Sequence, residues 1–219
     1  MTLVMPQPTG DYEGDHRAYL QSAGAGPPRH TLLAALDAFA SEGRNAGHAV
    51  DLGCGVGRDA LPLLARGWTV TAIDRDQEAL AGLRRRAGGD GRLTIVAGRF
   101  EDAALPACDL VNASFALPLC PPDRFGGLWT RIRAALRPGG RFAGQFYGPG
   151  DGWRDRPGMT FHSRAEVEAL LFGWSVERLD EEHADAVTQH GKAKHWHIWH
   201  VVARRPIASG LENASAATS

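Results

Sequence analysis

The stretch AVDLGCGVGRDALPLLARGWTVTAIDRD, residues 49–76, constrains this chain more than any other. A short apolar run leads into glycines at alternate positions, Gly53, Gly55 and Gly57. A segment of helical period follows, with Pro62 near its first turn, where a missing N–H is best tolerated. A second apolar run then closes on Asp74. Strand, glycine turn, helix and strand in this order open a nucleotide-binding βαβ unit. The question is which nucleotide the turn holds.

The alternation continues. QEALAGLRRRAG is a helix with Asp76 at its start, arginines late and glycine at its end, as capping and the helix dipole favour. RLTIVAGRF and CDLVNASF read as strands three and four, PDRFGGLWTRIRAAL as a helix ending at RPGG, and RFAGQFYG as strand five. Ser163 and Glu166 form a capping box at the next helix. WSVERLDEEHADAV and KHWHIWHVVARR hold the sixth and seventh strands, with no room for a crossover helix between them. That pair must therefore be antiparallel. The expected fold is α/β: a Rossmann-like, seven-stranded, mostly parallel sheet with a C-terminal antiparallel hairpin and helices on both faces. Residues 1–28 are expected to form an arm or lid, 29–206 the folded domain, and 207–219 a disordered tail.

Bulk properties narrow the partners. The chain has 219 residues and a formal net charge of −1, so no overall field favours nucleic acid or an anionic membrane. No apolar run reaches the ~20 residues of a membrane span. The start lacks the basic and apolar regions of a secretory signal, so the cytoplasm is the expected location. Cys54, Cys108 and Cys120 have unrelated spacings and suggest neither disulfides nor zinc. Cys54 is expected to be a small apolar filler within the glycine turn.

The glycine spacing is G-x-G-x-G, and Arg58 stands where a dinucleotide fingerprint would have its third glycine. No lysine is present for a P-loop. Asp51, on the strand before the turn, would repel a pyrophosphate but suits an ammonium. S-adenosylmethionine (SAM) has an amino-acid ammonium, a sulfonium, a ribose and an adenine, and no phosphate. Asp74 closes the second strand, where a carboxylate accepts from ribose hydroxyls.

VDLGCGVGRD, then VTAID, GRFED and ALRPGGRF, resembles the class I SAM-dependent methyltransferases over roughly residues 30–204. The resemblance implies that Asp51, Gly53 and Gly55, with Cys54 between them, line the methionine part of the cofactor. It implies that Asp74 holds the ribose, Arg75 flanks the adenine, and Phe100 packs near it. Glu101 or Asp102 would accept from the adenine amino group, and Asn112 would approach the methionine and sulfonium.

The acceptor is less constrained. Nucleobase amino methyltransferases carry [DNS]-P-P-[YF] after strand four, whereas this chain reads Asn112-Ala113-Ser114-Phe115. Nucleic acid is therefore not expected as a partner, and a small molecule is. LVNASFALPLC and KHWHIWHVVARR further resemble the small bacterial methyltransferases grouped with tellurite-resistance proteins. That resemblance implies oxyanions such as tellurite or selenite, or soft nucleophiles such as thiols. The loop between strands six and seven must lie at the catalytic rim and carries His190, Lys192, Lys194 and His195. Phe115 and Trp153 are further acceptor-site candidates, with Tyr12, His16 and Arg17 on the arm. His195-x-His197 lacks an evident third ligand, so no metal is expected. No catalytic residue is assigned, because displacement from a sulfonium by a lone-pair donor needs mainly position and desolvation. Monomer and homodimer are both open. Two other functions stay in view: a SAM-binding module without catalysis, and a nicotinamide-dependent oxidoreductase.

Overall fold

A computed structural model describes residues 26–188 and 193–207. In chain order the elements are α1 (His30–Ser41), β1 (His48–Leu52), α2 (Ala60–Ala65), β2 (Thr69–Asp74), α3 (Gln77–Arg86), β3 (Leu93–Ala97), β4 (Cys108–Ala113), α4 (Pro122–Ala135), β5 (Leu136–Tyr147), α5 (Arg164–Leu170), β6 (Ser175–Val187) and β7 (Ala193–Arg204). A 3-10 turn, Leu117–Leu119, precedes α4.

The strands form one sheet in the order β3-β2-β1-β4-β5-β7-β6. The first five are parallel; β7 runs antiparallel to both β5 and β6. The strand order reverses between β1 and β4, so the C-terminal ends of those strands open a crevice. The central strands β1 and β4 are buried along almost their whole length because helices cover both of their faces. On one face α4 packs Phe125, Leu128, Trp129 and Ile132 against the sheet. On the other, α1 and α2 contribute Leu32, Phe39 and Leu63.

Local chemistry sets the helix ends. The Asp76 carboxylate accepts from the backbone N–H groups of Glu78 and Ala79, and Arg84–Arg86 lie in the last turn of α3. The Ser163–Glu166 capping box forms in full. Two boundaries differ from the sequence reading. The helix α4 stops at Ala135, and β5 starts at once, at Leu136, absorbing the RPGG stretch. The strand survives the glycines because Gly139 N–H donates to the Arg205 carbonyl at 3.0 Å and Arg205 N–H donates to the Gly140 carbonyl at 2.8 Å. The edge strand β6 is exposed and studded with charge from Glu177 to Asp185, which discourages pairing with another chain.

Candidate functional site

The cofactor end grows from two strands and a turn. Register pairs Asp51 on β1 with Asn112 on β4, so their side chains meet. Asn112 Nδ2 donates to Asp51 Oδ1 at 2.8 Å and to Asp59 Oδ2 at 3.1 Å. Asp59, just before α2, is buried and also accepts from Arg29 N–H at 2.9 Å. Two carboxylates thus share one amide deep in the fold. Burial, and then the neighbouring Asp59, push the Asp51 carboxyl well above the usual carboxylate range. Asp51 Oδ2 is buried without a hydrogen-bond partner. An acceptor atom left bare in this way suits a cationic donor such as an α-ammonium.

The turn itself needs its glycines. Gly53 and Gly57 have φ of 67° and 90°, the left-handed region, and a Cβ on Gly53 would fall 2.9 Å from that of Ala116. Asp74 fixes the turn: Oδ2 accepts from Gly55 N–H at 2.8 Å and Oδ1 from Asp76 N–H at 2.9 Å. Each oxygen keeps a further lone pair for a ribose hydroxyl. Cys54 is buried, and burial raises its thiol well above the ordinary range, consistent with a filler rather than a nucleophile.

Beyond β2 and β3, Phe100 reaches within 4.0 Å of the Cβ position of Gly53, so it stands beside the turn. Glu101 is buried and accepts from Arg99 Nε at 2.6 Å. Asp102 is exposed and paired with Arg124, and Arg75 is exposed. Of the two acids in GRFED, Glu101 is therefore the one enclosed by the fold.

The acceptor candidates divide. Phe115 has φ of 56° and is held by its N–H, which donates to Gln145 Oε1 at 2.9 Å. Its ring meets Tyr147 and Trp196 edge-on, at centroid distances of 6.3 and 6.4 Å. Trp153 lies 6.2 Å from Tyr147 and 5.6 Å from Trp196. Four rings from the β4 exit, β5, the loop after it and β7 thus make one wall at the C-terminal rim. Tyr147 and Trp196 were not singled out from sequence, since pairing of β5 with β7 assembles the wall.

Lys194 sits among these rings, not free at the rim. Its ammonium lies 3.4 Å from the Trp196 ring centroid, with Tyr147 and Trp153 at 4.5 and 4.3 Å. It donates to buried Asp151 at 2.7 Å. The cationic rim expected from sequence is, at this residue, a neutralised pair inside an aromatic box. Burial, partly offset by Asp151, lowers the Lys194 pKa. His195 points to the opposite strand face, where it contacts Asp185 and His183. Tyr12, His16, Arg17, His190 and Lys192 lie outside the described residues.

Comparison with known proteins places this geometry. A family profile described as "Methyltransferase domain" matches residues 49–140. A search of curated proteins returned no match. Among solved structures, TehB from Haemophilus influenzae superimposes with a TM-score of 0.71 at 14% identity, covering 87% of this chain and 67% of that one. The 1,6-didemethyltoxoflavin-N1-methyltransferase of Burkholderia thailandensis, with bound 1,6-didemethyltoxoflavin and S-adenosylhomocysteine, gives 0.59 at 23% identity, covering 94% and 93%. Magnesium protoporphyrin IX methyltransferase from Synechocystis PCC 6803, with bound SAM, gives 0.57 at 17%, covering 92% and 86%. No helix among the described residues is long and apolar enough to cross a membrane. Matched profile and sheet order agree: residues 49–140 resemble a methyltransferase domain, and the chain has the Rossmann-like fold of methyltransferases such as TehB.

Proposed function

We propose that this enzyme methylates a small molecule with a flat, largely apolar body and a lone-pair nucleophile, such as a thiol, a phenol or a ring nitrogen. The observation that carries the reading is the wall of Phe115, Tyr147, Trp153 and Trp196, joined to the glycine turn where Ala116, next to Phe115, packs against Gly53. SAM supplies a methyl group on a sulfonium. Asp51 and Asp74 would hold its ammonium and ribose, and Glu101 its adenine amino group, so that the methyl faces the wall. The rings exclude water and orient the acceptor for in-line approach, which is the protein's main task in such a displacement. The acceptor gives its proton to solvent, on binding as an anion or after transfer, and gains the methyl as the sulfonium–carbon bond breaks and the bonding pair returns to sulfur.

Two neighbours support a flat acceptor by their names, which specify didemethyltoxoflavin and magnesium protoporphyrin IX. The likeness to TehB keeps small oxyanions such as tellurite and selenite as a second reading. Lys194 weakens it, because its charge is already matched by Asp151. Residues 1–28 acting as a lid would complete the enclosure, and Tyr12, His16 and Arg17 are its candidate contacts. A product screen with methyl-labelled SAM against aryl thiols, phenols, N-heterocycles, carboxylic acids, tellurite and selenite tests the reading. Turnover should favour aromatic acceptors and fall with Trp196→Ala. Turnover confined to the oxyanions would overturn it, and no turnover with any class would favour a binding module.

A further inference from the structure

The hairpin β6–β7 carries a histidine constellation on the face opposite the aromatic wall. Register pairs His183 with His197 and places Glu181 and His195 beside them. Glu181 Oε1 lies 3.1 Å from His183 Nε2 and 3.1 Å from His197 Nε2. The three ligand atoms all lie within 4.8 Å of one another. Ligand atoms about 2.1 Å from a tetrahedral ion stand about 3.4 Å apart, so the Glu181 spacings suit a shared cation.

Two independent features point the same way. His197 is 5% exposed, and its Nε2 is buried without an aligned hydrogen bond, although Glu181 is near. A Cβ on residue 148 would fall 2.2 Å from that nitrogen, so the ring occupies its place only because residue 148 is glycine. Behind His183, Nδ1 contacts His195 Nε2 at 3.2 Å, and His195 Nδ1 contacts Asp185 at 2.8 Å. That carboxylate–histidine–histidine chain is what a metal-bound imidazole uses to fix its tautomer and orientation. If His183 gives Nε2 to a metal, both imidazoles are neutral and every contact in the chain has one proton.

We propose that Glu181 Oε1, His183 Nε2 and His197 Nε2 bind a zinc-type transition-metal dication, with solvent in the remaining position. The donor set, two imidazoles and a carboxylate, suits zinc over magnesium or calcium. Glu181 and His183 are partly exposed, which gives the ion a path in. One contact must change on loading. Gly150 N–H donates to His197 Nδ1 at 3.0 Å, which fixes the proton on Nε2. A metal on Nε2 requires the other tautomer, so that bond opens and loop 148–152 shifts. The loop carries Asp151, the partner of Lys194, so occupancy of the metal site reaches the acceptor wall. The inference does not depend on the acceptor reading.

The test uses the full chain, stripped with a chelator and exchanged into chelator-free buffer. Zinc titrated by calorimetry should bind at one equivalent, and cobalt should give a low-symmetry visible spectrum without thiolate charge transfer. His183→Asn should abolish the stoichiometric binding, and His195→Asn should weaken it about tenfold or more. Should a variant misfold, long-range proton–nitrogen NMR of the unmodified chain decides instead: zinc should move the His197 proton from Nε2 to Nδ1. Absence of stoichiometric binding, binding retained by both His183→Asn and His197→Asn, or an unmoved His197 proton at saturating zinc each overturns the proposal.

Discussion

At the scale of single residues, Asp51 shows how a buried carboxylate strains the fold that hosts it. Its carboxylate is buried beside Asp59, and one oxygen has no partner. Ionised, it destabilises the ligand-free protein; a bound ammonium relieves that cost. Asp51→Asn should therefore stabilise the ligand-free protein by about 1–2 kcal/mol while weakening SAM about 10- to 100-fold. Thermal melts with and without SAM measure both effects, and a variant that loses stability and keeps affinity would contradict the role. His162 offers a second case, outside the site. It packs against Phe125 and Phe146, and burial pushes its imidazole down to about 4. A depressed folded-state pKa contributes stability above the unfolded value near 6.5, lost as pH falls through about 4. The loss should amount to about 3 kcal/mol, and His162→Phe should remove most of it in urea titrations at pH 7 and pH 4. An equal loss in the variant would show that other groups dominate acid unfolding.

At the scale of elements, Arg141 ties three of them together. It lies on β5 with its side chain 2% exposed, bound through Nε and Nη2 to Glu177 and through Nη1 and Nη2 to Glu42. Glu42 caps α1, and Glu177 sits at the register shift of β6 between Val176 and Arg178. A bulge there turns the carboxylate inward, which no periodicity in the sequence announces. The two carboxylates outweigh burial and raise the Arg141 guanidinium further. Arg141→Met should cost about 3 kcal/mol, because it leaves Glu177 without its cation and Glu42 with only the longer contact to Arg204. Chemical denaturation reads this, and a neutral result would mean that solvent already screens both acids. The helix α1 matters beyond stability. Its Thr31 accepts from Gln145 Nε2, and Gln145 holds Phe115, so α1 reaches the aromatic wall in two steps.

At the scale of the whole molecule, the sheet order determines what meets at the rim, and much of it was legible in the sequence. Alternating apolar runs and helical periods revealed seven strands, and the missing crossover between β6 and β7 required an antiparallel pair. The glycine spacing with Asp51 and Asp74 marked the turn proposed to hold the cofactor. Asp59 was missed although it ends the same GCGVGRD motif, because only folding shows that Asn112 joins it to Asp51. Tyr147, Trp196 and Asp151 were missed because their roles exist only once β7 inserts beside β5. Glu181 and His183 were missed as partners for His197 because the cross-strand register depends on loop geometry and on the bulge in β6. Everything at the rim depends on one premise, that the β1–β2 turn holds a ligand with an ammonium and no phosphate. Calorimetry of the full chain with SAM, S-adenosylhomocysteine and NAD tests it directly. The account predicts micromolar binding of SAM and S-adenosylhomocysteine that Asp74→Ala weakens, and none of NAD. Binding of NAD without SAM, or SAM affinity unchanged by Asp74→Ala, would contradict it.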